Sequence, residues 1–419
     1  MDIIKAFLDL GPSVMMPIIF FLLAILFGVK AGNAFKAGML VGIGFEGISL
    51  IIGLLLTSLG PATEDMVARF GLQLRVLDVG WPVGAKIGWS SPLVPIVVFG
   101  GLALNVLLLV VRLTKTVNID IFNYWLILLT GTIVYAETDS LVLGSAACFL
   151  SLLIALFLAD RTAPIIHKTF GLEGVSFPHA TTAIFAPVGY VVNAIIEAIP
   201  GVRSIDANPE TITKRFGILG EPLALGVILG VGLGIMAGWG VDRVLTLGVK
   251  MASVMVLLPA MIGVLVQGLM IVREAAEKSL KKRFPDREFY IGLDTALLIG
   301  HPAILATGLM LVPIALLLAV ILPGNRVLPF VDMASLVFLI PMAAPYLKMN
   351  MFRMLICGTI IMTMVLYAAG DISGGYTKAA QMAGVSLNDN QTNAEVVNLV
   401  SPPPTPVGWA IIKSFTLFK

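Results

Sequence analysis

Apolar residues in this chain run unbroken over long stretches. They show neither the alternation of a half-buried strand nor the one-sided stripe of a soluble helix. Such runs cover 12–29, 38–59, 92–111, 124–135, 141–158, 222–239, 244–272, 303–322, 327–347 and 354–369. A helical membrane crossing needs about 20 apolar residues, so the pattern predicts about ten crossings. Two further pieces, 177–199 and 291–300, are apolar but broken. Pro178, His179 and Pro187 interrupt the first, and glycines beside a polar side chain interrupt the second. These predict at least two re-entrant or broken segments. Lipid offers no partner to a peptide N–H or C=O, so the expected class is an all-α polytopic membrane protein. A β-barrel would need alternating strands of about ten residues. The first run has no basic start and no small-residue cleavage site after it, and reads as a spanning helix. Residues 1–370 are expected to form one polytopic domain, and 371–419 a polar C-terminal tail with a short apolar end.

Composition agrees with this reading and narrows it. Of 419 residues, 58% are hydrophobic and 12% charged, against about 25% charged in a soluble protein. Too few polar side chains remain to clothe a water-facing surface. A soluble enzyme, a nucleic-acid binder and a disordered scaffold are therefore excluded as main readings. The net charge of +2 favours no acidic partner. The densest charge run, 273–288, holds six of the 27 basic residues. The positive-inside rule puts it in the cytoplasm, with Glu274, Glu277, Asp286 and Glu288 interleaved. Cys148 and Cys357 sit in apolar runs and read as small hydrophobes, with no ligand set for a metal. No cofactor is expected, and no Walker-type phosphate loop appears.

The charges left inside apolar sequence are the candidate chemistry, since a mid-membrane charge costs about 2.5–3.5 kcal/mol on insertion scales. Glu46 lies in a glycine-rich run, and Glu137 and Asp139 fall between two runs, where a membrane-surface turn is the alternative to a functional role. Asp294 and His179 lie in the two broken segments. Irregular backbone at membrane depth is tolerated only where protein or a water-filled cavity surrounds it. Broken segments at corresponding places in two halves mark a transporter's binding site. A weak echo of 77–82 around Asp78 and Trp81 recurs at 293–302, which includes Asp294 and His301, and suggests an inverted repeat. His301 before Pro302 could equally end a half-helix, and His167 beside Lys168 reads as a solvated loop residue. Carboxylates, histidines, hydroxyls and Trp81 suit an uncharged polyhydroxy ligand, with an aromatic face covering its C–H surface.

Several motifs resemble one family. Leu8-Asp-Leu-Gly-Pro, Asp78-Val-Gly-Trp-Pro, Val117-Asn-Ile-Asp-Ile, Ser176-Phe-Pro-His-Ala-Thr, Lys214-Arg-Phe-Gly-Ile-Leu-Gly-Glu-Pro, Ile291-Gly-Leu-Asp-Thr-Ala and Pro323-Gly-Asn-Arg follow the order of galactitol-type IIC components of the bacterial phosphotransferase system. The superfamily includes the ascorbate permeases. The resemblance implies a homodimeric inner-membrane permease for a sugar alcohol, moved inward by an elevator-like displacement. It also implies phosphorylation by a separate cytoplasmic IIB subunit, itself charged by IIA. His179 and Asp294 match the family's ligand region, with Asp78 and Trp81 as neighbours. Tyr135 stands near a histidine of the galactitol members, and Glu46 near an apolar residue. Glu46 and Glu137 are expected to shape or gate the cavity. The other reading from the residues is a proton-coupled secondary transporter, with Glu46 or Asp294 carrying the proton.

Overall fold

The computed structural model describes residues 12–69, 71, 74–118, 120, 123–207, 222–283, 287–329, 331–385 and 395–417. The motifs around Leu8 and Lys214 lie outside them, as does part of the basic run. The chain is mostly helical. It begins with α1 (Pro12–Leu26), a two-residue turn and the long α2 (Ala31–Arg69). Strand β1 (Val76–Asp78), α3 (Trp81–Trp89) and α4 (Val94–Val110) follow, and α3 and α4 meet at a bend of 91°. Then come β2 (Thr116–Asn118), α5 (Tyr124–Thr138), α6 (Leu141–Phe170), β3 (Val175–Ser176) and α7 (Phe185–Ala198).

The second half opens with α8 (Pro222–Met236), a short turn and α9 (Val241–Arg283). It continues with β4 (Tyr290–Gly292), α10 (Ala296–Ile299), α11 (Pro302–Ile321) and β5 (Val327–Leu328). A 3-10 helix η1 (Val331–Leu339), α12 (Met351–Met382), β6 (Glu395–Val397) and α13 (Pro406–Thr416) complete it.

Five described helices are long and apolar enough to cross a membrane, or six if the bent α3–α4 pair counts as one span. Three shorter apolar helices accompany them. The expected run 327–347 is not a spanning helix. It holds β5, η1 and a series of turns, nearly all buried. Pro329, Pro341 and Pro345 interrupt the helical ladder there, and surrounding protein replaces lipid, as irregular backbone requires. The boundary expected at residue 370 does not mark a break either. Helix α12 runs through it to Met382, β6 joins a sheet, and α13 packs on α5 and α6.

The helices form two packed groups. In one, α1, α2, α8 and α9 lie together. Small residues let α2 and α9 close up: a Cβ on Gly268 would lie 2.7 Å from the Ala37 carbonyl oxygen. In the other, α3, α5, α6, α7, α11, α12, α13 and η1 surround the short strands.

Those strands, which the sequence did not announce, pair in two parallel sheets. One has the order β5-β1-β6, the other β2-β4-β3. Each sheet takes its middle strand from one half of the chain and both outer strands from the other. The registers are Leu77 against Leu328 and Val396, and Ile291 against Val117 and Val175.

Side chains hold the second sheet in place. Asp160 on α6 accepts from the Thr114 and Thr116 hydroxyls, both at 2.7 Å, and from the Lys115 N–H at 3.0 Å. Asn105 on α4 donates to the Thr116 carbonyl at 2.9 Å and accepts from the Asn118 N–H at 3.0 Å. His167 is not a solvated loop residue. It lies in the last turn of α6, bonds the Val175 carbonyl at 2.8 Å and meets the Tyr290 ring edge-on.

At the same end Lys115 Nζ pairs with Glu288 at 2.7 Å, with side chains 53% and 60% exposed. The lysine holds the Glu288 carboxyl below its usual range, and the carboxylate raises the Lys115 ammonium. The contribution is therefore present between the two ordinary pKa values. It is lost as pH falls through the depressed Glu288 pKa, or rises through the elevated Lys115 pKa. An exposed pair contributes about 0.2–1 kcal/mol. Lys115→Ala is thus expected to lower the melting temperature slightly at pH 7, and by less and less in thermal scans in detergent as pH falls through the depressed Glu288 pKa.

Candidate functional site

Ligands of parallel α/β sheets bind outside the carboxyl ends of the strands, and these small sheets follow that rule. After β2 the chain delivers Asp120 and Asn123, after β3 His179, and after β4 Asp294. All four line one cavity of about 380 Å³, within the range of small-ligand pockets. Trp81, Trp125, Phe45 and Phe338 form its aromatic walls. The Trp81 and Trp125 ring centroids are 6.4 Å apart. Helix α2 closes the opposite side with Ile48, Ser49 and Gly53, so the cavity lies between the two helix groups.

The polar wall is a connected network. The Asn123 side-chain amide donates to Asp120 Oδ2 at 2.7 Å and to Asp294 Oδ2 at 2.6 Å, tying two carboxylates through one nitrogen. The other Asp294 oxygen accepts the Ala296 N–H at 2.7 Å, at the start of α10. The nearly buried His179 accepts the Thr182 N–H on Nδ1 at 3.3 Å. This assigns the proton of the neutral ring to Nε2, which becomes a donor. The cavity thus offers carboxylate acceptors, one imidazole donor and flat apolar faces. A ligand rich in hydroxyls can satisfy all of these; a fully apolar one would strand them.

The structure brings together three of the sequence-derived candidates, His179, Asp294 and Trp81. The others lie elsewhere. Asp78 is buried behind the wall, where it accepts the Gly80 N–H at 3.1 Å. Glu46 is exposed on α2, one residue from cavity-lining Phe45. Glu137 pairs with Lys378 at 2.8 Å, between α5 and α12. Tyr135 is half-buried in the same last turn of α5, and its carbonyl accepts the Asp139 N–H. Asp139 has a left-handed backbone (φ 53°) and caps α5, so this stretch is the turn between two helices. His301 caps α11, its Nδ1 accepting the Ala303 N–H at 3.3 Å.

Asp120 and Asn123 were missed. Their signal was present as a polar break, Asn118-Ile-Asp-Ile-Phe-Asn123, between two apolar runs. The two members of the repeat-like echo differ in their placement on the strands. Asp78 ends β1, whereas Asp294 lies two residues beyond β4.

Comparisons with known proteins place the chain in a family. The galactitol-specific EIIC component of the phosphotransferase system of Escherichia coli (strain K12) is 39% identical over 415 residues, spanning 99% of this chain and 91% of the relative. The galactitol-specific component of E. coli O157:H7 gives the same figures. A putative permease IIC component of strain K12 is 38% identical over 410 residues, 98% of this chain and 93% of the relative. Residues 6–390 match the family described as the sugar-specific permease component of the phosphotransferase system. With apolar helices to cross the bilayer and a polyhydroxy-compatible cavity, this multi-pass membrane chain belongs to that EIIC-GAT permease family.

Proposed function

We propose that the chain is the membrane subunit that binds galactitol, or a closely related polyol, in this cavity and carries it to the cytoplasmic side. There a separate IIB subunit, charged by IIA, phosphorylates it. The single observation that carries the reading is the convergence of Asp120, Asn123, His179 and Asp294 against Trp81 and Trp125. Carboxylates accept from substrate hydroxyls, His179 Nε2 donates, and the indoles cover C–H faces. Glu46, Glu137, Tyr135 and His301 act outside this contact shell, in shaping or gating. The polar residues sit on one helix group and the opposing wall on the other. Sliding one group past the other would carry the ligand across, which is the elevator displacement. The cross-paired sheets support a two-fold repeat within the subunit and a rigid unit that moves whole. The end bearing Lys115, Lys168, Arg273 and Arg287 faces the cytoplasm, and a homodimer is the expected assembly.

The test is uptake of radiolabelled galactitol into cells that carry or lack the phosphate-carrier proteins. Uptake should require the carriers, and His179→Phe should reduce it about tenfold or more through a higher KM. Accumulation driven by a proton gradient alone would overturn the proposal in favour of a secondary transporter.

A further inference from the structure

The second sheet end is built like the first but is sealed. Asp78 ends β1, with Gly80 and Trp81 after it; after β5 comes Asp332; after β6, Asn398 and Val400. Asp332 and Asp78 are 0% and 1% exposed. The two Asp332 oxygens are crowded with donors. Oδ1 accepts the Trp81 N–H at 2.9 Å; Oδ2 accepts the Val400 N–H at 2.9 Å and the Asn398 side-chain amide. The Leu399 backbone bonds the same carboxyl. In return the Asp332 N–H donates to Asp78 Oδ2 at 2.6 Å. Gly80, with φ 79°, makes the turn that brings Asp78 to the Asp332 N–H and the Trp81 N–H to the Asp332 carboxylate, and a Cβ there would strike Val331.

Trp81, Val400 and Asn398 all donate to the Asp332 carboxyl, which acts as an acceptor on both oxygens. Trp81 and Val400, the groups that Asp332 holds, both line the cavity.

We propose that Asp332 is a positioning residue for the substrate cavity: braced by Asp78, which accepts its N–H, it fixes Trp81 and Val400 in the cavity wall. The two carboxylate pairs then divide the labour. Asp120 and Asp294 face the ligand, while Asp78 and Asp332 hold the stretch of wall formed by Trp81 and Val400. This rests on the reading of the cavity as the polyol site. It also explains why Asp78, with the same sequence surroundings as a ligand residue, lies out of the cavity's reach.

The inference predicts unequal effects from two substitutions of like size. In Asp332→Asn an amide N–H₂ must face a ring of donors and the charge that holds them is gone. In Asp78→Asn the amide oxygen can still accept one of the two backbone N–H groups that Asp78 holds, and neither Trp81 nor Val400 loses its partner. The measurements are galactitol affinity of the purified full chain and amide hydrogen exchange across 79–84 and 398–401. Asp332→Asn should raise the galactitol Kd about tenfold or more and speed exchange in those two stretches, while Asp78→Asn changes Kd by no more than about threefold. Equal effects of the two variants, or an Asp332→Asn affinity within about twofold of the parent, would overturn it. If Asp332→Asn does not fold, Asn398→Ala removes one donor and keeps the charge. It should raise Kd about threefold and speed exchange at Val400, and unchanged affinity would overturn the proposal. A parent protein that does not bind galactitol sinks the substrate reading alone, because the exchange comparison needs no ligand.

Discussion

Asp294→Asn is expected to weaken galactitol binding about 100-fold while the protein still inserts in the membrane. One carboxylate oxygen of Asp294 holds the Ala296 N–H and the other holds the Asn123 amide. Both act as acceptors, and Asp294 lines the cavity. An asparagine must turn an N–H₂ toward one of these donors, which moves Asn123 and with it Asp120. It also removes the charge from any hydrogen bond to a substrate hydroxyl, a loss of about 1.5–3 kcal/mol. Insertion should not suffer, because losing a charge at membrane depth lowers the insertion cost. Equilibrium binding to the purified variant, with membrane yield as the control, decides the matter. Parent-like affinity would make Asp294 a structural residue only.

The second large effect is expected at Gly308. On α11 it faces η1, and a Cβ there would lie 2.6 Å from Val337 Cβ and 2.7 Å from Val337 Cα. No rotamer change relieves a contact with backbone. Overpacking costs about 1–3 kcal/mol and more where backbone must shift, so Gly308→Leu should lose about 3 kcal/mol or more. The displacement also has a direction. Helix η1 carries Ser335 and Phe338 into the cavity wall, so pushing it away from α11 narrows or distorts the binding space. A thermal scan in detergent should show a lower melting temperature, and galactitol affinity should fall in whatever fraction folds. Gly308→Ala should move both quantities the same way by less. A leucine variant that melts and binds like the parent would show that α11 and η1 do not pack this closely.

Legibility differed from residue to residue. His179 and Asp294 could be found because each puts a polar group and a helix breaker into an apolar run, a combination that lipid does not tolerate. Asp120 and Asn123 carry the same kind of signal, but near a predicted helix start they pass for ordinary connection residues. Glu46 drew suspicion as a charge within an apolar run, yet its side chain is exposed on α2 and only its neighbour Phe45 reaches the cavity. Glu137 and Asp139 looked alike in sequence. One is half-buried against Lys378 and the other is a left-handed cap. Burial and backbone conformation separate them, and neither is written in the local pattern. Asp78 was the hardest case, because its motif is the one a ligand residue would have.

The sequence by itself determined the solvent of this protein and the class of its elements. Long apolar runs with few charges can only be helices in a bilayer, and breaks in them can only be surrounded by protein. The tertiary structure alone decided which breaks meet. Strands of two or three residues are too short for a period-2 pattern, and in every pairing the partners lie more than a hundred residues apart along the chain. Parallel pairing across the halves brings Asp120, Asn123, His179 and Asp294 to one sheet end and Asp78 and Asp332 to the other. The first set opens on a cavity because α2 stands off from it. The second is sealed because Asn398, Val400 and Trp81 supply donors enough to bury a charge.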